Sequence, residues 1–130
     1  MLTLPLTSLI TLAAIILFFV MALRVAKARG TYGVPAPATS GDPIFERHFR
    51  VQMNTLEWLA MFLPALWLGA VWHSDVVAAG LGLVWIVGRI IYMLAYVADP
   101  KTRSIGFVVQ MFATLSLILL TLFHIVSSFL

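Results

Sequence analysis

Three polar residues set into an otherwise apolar stretch carry the first chemical signal. Arg50, Asn54 and Glu57 are spaced i, i+4, i+7, which puts all three on one face of a helix. Arg47 extends that stripe outward by one turn, and Glu46 can pair with Arg50 at i, i+4. A second stripe, Arg89, Tyr92 and Tyr96, has the spacing i, i+3, i+7. Arg103 follows where a further helix should begin, and the free N–H groups of a helix start favour an anion. Together these residues supply cations at a rim, a carboxylate deeper in, and phenols that donate or accept hydrogen bonds. That set suits a small zwitterion with more than one carboxylate. The same residues also have a structural reading. Glu57 can pair with Arg89 and lock the two helices, which is the expected role of Arg89, and Tyr92 and Tyr96 can be interfacial aromatics.

The elements that must hold these groups lie in a membrane. Of 130 residues, 62% are hydrophobic and 10% charged, and the mean hydropathy is +1.06. A soluble domain of this size would carry an exposed apolar patch far larger than monomers tolerate. Four runs reach the roughly 20 apolar residues that a spanning helix needs: about 4–23, 51–72, 76–98 and 104–130. With their extensions into the loops, the expected helices cover about 4–29, 43–73, 76–98 and 103–129. The expected fold class is all-α, a four-transmembrane-helix bundle forming a single domain over 1–130. The first run is not read as a cleaved signal, because Arg24, Lys27 and Arg29 follow it rather than precede it. Asp42-Pro43 marks the start of the second helix, Asp as cap and Pro in the first turn. Asp99-Pro100 stops the third, and Pro64 should kink the second. Gly30, Gly33, Pro35, Pro37, Ser40 and Gly41 break up the first loop.

Seven of the eight basic residues lie between spans one and two or between spans three and four. Such residues favour the cytoplasmic side, so both termini should face away from it. Arg24, Lys27 and Lys101 read as signals of this topology. The net charge of +3 is scattered among apolar runs and makes no nucleic-acid footprint. The absence of cysteine excludes a disulfide framework or a thiol nucleophile from the chain itself, so any thiol must come from a ligand. His48 has no partner pattern, His73 and His124 fall near the opposite face, and no metal site is expected.

The run Phe45-Glu46-Arg47-His48-Phe49-Arg50-Val51-Gln52-Met53-Asn54-Thr55-Leu56-Glu57-Trp58 resembles the F-E-R-x-x-R-x-x-x-N-x-x-E pattern of a known family. This is the family of membrane-associated proteins in eicosanoid and glutathione metabolism (MAPEG). Leu66-Trp67, Gly88-Arg89, Tyr92, Tyr96 and Arg103 agree with it, so the resemblance covers nearly the whole chain. It implies a homotrimer in which glutathione sits between subunits near the cytoplasmic face. It further implies that Arg29, Arg50, Gln52, Asn54, Glu57, Trp58, Tyr92, Tyr96 and Arg103 bind glutathione. Arg103 would stabilise the thiolate, and Tyr96 would assist as the second catalytic residue. The implied activity is that of a membrane glutathione transferase, with peroxidase activity, acting on lipophilic substrates from the bilayer.

Two departures weigh against leukotriene synthesis. Gly30 stands where the leukotriene-forming members have a second arginine, and Trp58 stands where a tyrosine is common. Ser104 is shared with the prostaglandin-forming type. The short chain looks like the bacterial, microsomal glutathione transferase-like members, which points to a bacterial inner membrane ahead of the endoplasmic reticulum. A non-catalytic lipid-binding scaffold and a small four-helix transporter are the competing functions. The transporter reading lacks a glutamate in the first span.

Overall fold

The computed structural model describes residues 3–130. It consists of four long helices: α1 (Pro5–Tyr32), α2 (Pro43–Trp72), α3 (Asp75–Ala98) and α4 (Ser104–Ser127), with a short 3-10 turn at Pro100–Thr102. All four helices are long and apolar enough to cross a membrane. Leu9, Ile16 and Phe19 of α1 and Ile105, Phe112 and Phe123 of α4 turn outward, as lipid contact requires.

Polar contacts at the helix ends fix the arrangement. The Asp42 carboxylate accepts from the backbone N–H groups of Ile44 (2.8 Å) and Phe45 (3.4 Å), capping α2. Asp75, the first residue of α3, also caps α1: its carboxylate accepts from Leu6 N (3.1 Å) and Thr7 N (2.8 Å). One carboxylate thus offsets the positive ends of two helices. At the other end of the bundle, the Arg47 guanidinium donates to the carbonyls of Val97 and Ala98, both at 3.1 Å. A cation there satisfies the last carbonyls of α3.

One detail differs from the sequence expectation. α1 runs past Arg29 and straight through Gly30, and ends only where Gly33 adopts a left-handed φ of 65°. A helix stop needs that conformation, and among the two glycines only Gly33 takes it. α2 remains one continuous helix through Pro64.

The interior is built from Trp85, Phe62, Met21, Leu66 and Leu117, all essentially inaccessible to solvent. The Trp85 and Phe62 rings stack at 4.1 Å, 4° from parallel. Between α2 and α3 lies the wholly enclosed side chain of Arg89. Its Nη2 donates to Asn54 Oδ1 (3.0 Å) and Thr55 Oγ1 (2.8 Å), and its guanidinium carbon sits 4.2 Å from the centroid of the Tyr92 ring. α3 and α4 touch backbone to backbone at two glycines. A Cβ on Gly88 would lie 2.7 Å from Gln110 N, and one on Gly106 would overlap the backbone of Tyr92 and come 2.6 Å from Gly88 O. Small residues permit this approach in a bilayer, where dispersion and hydrogen bonding drive helix association.

This seam makes a sharp prediction. Gly106→Ala should cost about 1–3 kcal/mol by overpacking and lower the melting temperature in detergent. Gly80→Ala, where a Cβ meets nothing within 4 Å, should be neutral or stabilising by up to about 1 kcal/mol. Equal melting temperatures for the two variants would show that the α3–α4 contact is not this tight.

Candidate functional site

The two polar stripes meet at the loop-bearing end of the bundle. A cavity of about 570 Å³ opens there, lined on its polar side by Arg50, Asn54, Tyr92, Tyr96, Arg103 and Ser104 and on its apolar side by Phe107 and Val108. That size falls within the range of small-molecule sites. A second cavity of about 480 Å³ shares Arg50 and Tyr96 with it and extends toward Thr39, Ser40 and Pro43 of the first loop.

Each side chain is held for a physical reason. Asn54 has its carbonyl oxygen engaged by Arg89, so its amide nitrogen turns toward Glu57 and reaches Oε2 at 3.3 Å. The other Glu57 oxygen takes an ion pair from Arg50 Nη1 at 3.1 Å. Both members of that pair are about half exposed, 51% for Arg50 and 55% for Glu57, so the pair itself adds little stability. Its effect is to place a cation and an anion side by side at the cavity edge. Tyr92 and Tyr96 project from α3 with ring centroids 5.5 Å apart. Arg103 immediately precedes α4, and its guanidinium lies 5.9 Å from the Tyr96 centroid, near the outer reach of a cation–π contact.

Arg50, Asn54, Tyr92, Tyr96 and Arg103 therefore come together as the spacing suggests. Glu57 joins them through Arg50 and Asn54. Two pairings considered from sequence are replaced. Arg50 pairs with Glu57 two turns along instead of with Glu46, whose carboxylate accepts from Gly41 N at 2.9 Å. Glu57 likewise does not pair with Arg89, because Asn54 stands between them.

Four expected ligand-binding residues lie off the cavity wall, of which Glu57 is tied to it through Arg50 and Asn54. Trp58 packs edge-on against Phe107 at 5.4 Å, and so supports the wall from behind. Gln52 is part-buried on another face of α2 and does not line the cavity. Arg29 donates to the carbonyls of Ala38 (2.6 Å) and Val34 (3.3 Å) and lies over the Phe45 ring at 4.8 Å. Phe107 and Val108 were not anticipated. Their positions four and five residues after Arg103 put them on the same first turns of α4, and that spacing was the available clue.

Comparison with known proteins finds relatives over most of the chain. A model of the MAPEG family matches residues 7–123. The Synechocystis protein sll1147 is 45% identical over 111 residues, which cover 85% of this chain and 81% of that protein. Human microsomal glutathione S-transferase 2 is 41% identical over 109 residues, covering 84% of this chain and 74% of the relative. Rat leukotriene C4 synthase is 36% identical over 94 residues, covering 72% of this chain and 63% of the synthase. With a family match across most of its length and four apolar helices, this chain is an integral membrane protein that belongs to the MAPEG family.

Proposed function

We propose that the protein is a membrane-embedded glutathione transferase, with peroxidase activity toward lipid hydroperoxides. The observation that carries this reading is the charge pattern of the cavity: two guanidiniums, Arg50 and Arg103, flank two phenols and an amide, with the Glu57 carboxylate beside Arg50. Glutathione has two carboxylates, an ammonium group and a thiol; Arg50 can meet a carboxylate, Glu57 the ammonium and Arg103 the thiolate. Relatives named as a glutathione S-transferase and as leukotriene C4 synthase support the same class. Gly30 and Trp58 argue against leukotriene formation by this chain.

In this reading Arg50 and Asn54 hold glutathione, Glu57 receives its ammonium, and Tyr92 contacts it from α3. Trp58 acts by seating Phe107. The tripeptide brings the sulfur nucleophile for a lipophilic electrophile or the reducing equivalents for a hydroperoxide. The chain must make the thiol acidic. A free thiol has a pKa of about 8.5, so little is ionised at neutral pH. Arg103 cannot take the proton, because a guanidinium stays protonated. It can stabilise the anion, with the first N–H groups of α4 adding to the same field. Lowering the thiol pKa by two units requires about 2.7 kcal/mol. One charge at about 4 Å with an effective dielectric near 20 supplies about 4 kcal/mol, so a single arginine is enough. Tyr96, beside Arg103, hydrogen-bonds the sulfur. The lipophilic partner enters from the bilayer past Phe107 and Val108.

Arg29 and Gln52 reach the ligand from a neighbouring subunit in a homotrimer. The family resemblance carries that arrangement, and it requires Arg29 to leave the carbonyls of Val34 and Ala38 that it holds in its own loop. The basic loops put the cavity toward the cytoplasm; a bacterial inner membrane is the proposed setting.

The deciding assay follows glutathione conjugation to an aryl halide, and reduction of a lipid hydroperoxide, by detergent-purified protein. Arg103→Ala should still bind glutathione but turn over about 25-fold more slowly at pH 7, the ratio of thiolate fractions for a pKa of about 6.5 against about 8.5, and should recover toward pH 9 as the free thiol ionises. Unchanged turnover would remove Arg103 from the mechanism. Wild-type protein that binds glutathione but converts neither substrate would favour the scaffold reading. For the trimer, Arg29→Ala should weaken glutathione binding, and co-purified Arg29→Ala and Arg103→Ala subunits should yield mixed assemblies more active at pH 7 than either variant alone. No such gain would mean that each site is built from one subunit.

A further inference from the structure

On the other side of the same end of the bundle lies a separate cavity, of about 290 Å³, that shares no lining residue with the one described above. Arg24, Lys27, Ala28, Thr31 and Tyr32 line it from α1, and His48 lines it from α2. Positions 24, 27, 28 and 31 follow i, i+3, i+4, i+7, so one helix face presents two cations and a hydroxyl, and Ala28 leaves room between them. No carboxylate lines this space. The ion pair of Arg50 and Glu57 belongs to the other cavity, so the charge of Arg24 and Lys27 is not neutralised here. The Arg24 Nε is enclosed and has no hydrogen-bond partner among the described residues. That nitrogen does not open onto the cavity, so the terminal nitrogens of the guanidinium are the donors left for an anion.

Basic residues at the loop end of a spanning helix usually do no more than set topology. Residues with that role alone would splay into water. These converge on one hollow, together with an imidazole and two hydroxyls, and all of these can donate to an oxyanion. The donor set favours phosphate, which accepts from several directions and matches the planar fork of arginine. Toward the middle of the bilayer, the same face of α1 continues at i−4 steps through Val20 and Ile16, which are 39% and 61% exposed. An acyl chain can lie along those two side chains while its headgroup occupies the cavity.

We propose that the cavity between Arg24, Lys27 and His48 is a binding site for a phosphate-bearing anion, filled in the membrane by the headgroup of an anionic phospholipid. This site is independent of the glutathione reading.

The test uses full-length protein in a neutral detergent, with bound lipid counted by native mass spectrometry and melting temperature recorded in parallel. Phosphatidylglycerol, phosphatidylcholine and inorganic phosphate are added in separate arms. Wild type should retain phosphatidylglycerol over phosphatidylcholine by about 30-fold or more. The double variant Arg24→Gln/Lys27→Gln should lose that preference by about 30-fold, the worth of two basic side chains at an anionic surface. Lys101→Gln, a basic residue at the same end but outside this cavity, should keep it. Thermal protection by phosphatidylglycerol identifies the lipid as the source, whereas protection by inorganic phosphate at low concentration, lost in the double variant, identifies a soluble anion in the same site. The proposal is overturned if wild type holds the two lipids equally and gains nothing from phosphate. It is also overturned if Lys101→Gln loses as much preference as the double variant. Glutathione turnover, where wild type has it, should be unchanged in the double variant, which verifies that this variant folds.

Discussion

The Arg89 guanidinium lies fully enclosed in a bundle whose outer surface is hydrocarbon, and a charge in that position has to find acceptors inside the protein. Its Nη2 finds the amide oxygen of Asn54 and the hydroxyl of Thr55, both on α2, and the guanidinium lies against the face of Tyr92 on its own helix, while Nε and Nη1 have no hydrogen-bond partner among the described residues. This one requirement sets much of the cavity. With its oxygen occupied, Asn54 can offer only its NH₂ group to Glu57. Glu57, drawn to Asn54 on one oxygen, takes Arg50 on the other. A buried charge in the core thereby dictates the orientation of three side chains at the cavity edge. Tyr92, held against Arg89 from above, contributes to the same wall.

The second half of the cavity depends on distance between backbones. Gly88 and Gly106 let α3 and α4 approach until a methyl group would collide. Arg103 stands three residues before Gly106 and Tyr96 eight after Gly88, so this contact brings the Arg103 guanidinium over the Tyr96 ring. The start of α4 then faces the cavity formed by α2 and α3. An apolar wall of Phe107 and Val108, backed by Trp58, separates the polar pocket from the acyl region. The arrangement has a hydrophilic end and a lipophilic flank, which suits a reaction between a water-soluble thiol and a substrate dissolved in lipid.

Much of this was legible in the chain. Apolar run length revealed four helices, because the bilayer imposes a length that short soluble elements do not need. Asp42-Pro43 and Asp99-Pro100 marked helix boundaries through local backbone chemistry. Helical spacing placed Arg50, Asn54 and Glu57 on one face without knowledge of what lay opposite. What was not legible depends on neighbours remote in sequence. Asp75 caps α1 from sixty-eight residues away, and Arg47 caps α3; neither contact follows from spacing. The choice of Glu57 over Glu46 by Arg50 follows from Asn54, which in turn follows from Arg89. Gly30 looked like a breaker, yet only Gly33 takes a left-handed backbone. Arg29 and Gln52 matched a family pattern, but the fold of this chain does not bring them to the cavity.

The proposed role of Arg103 in making a bound thiol acidic can be read from the ultraviolet absorbance of thiolate as glutathione is titrated against pH in the presence of purified protein. Protein-bound glutathione should ionise about two pH units below the free thiol, with the thiolate signal saturating as the sites fill. A bound thiol that ionises at the same pH as in water, or no saturable thiolate signal, would remove that role.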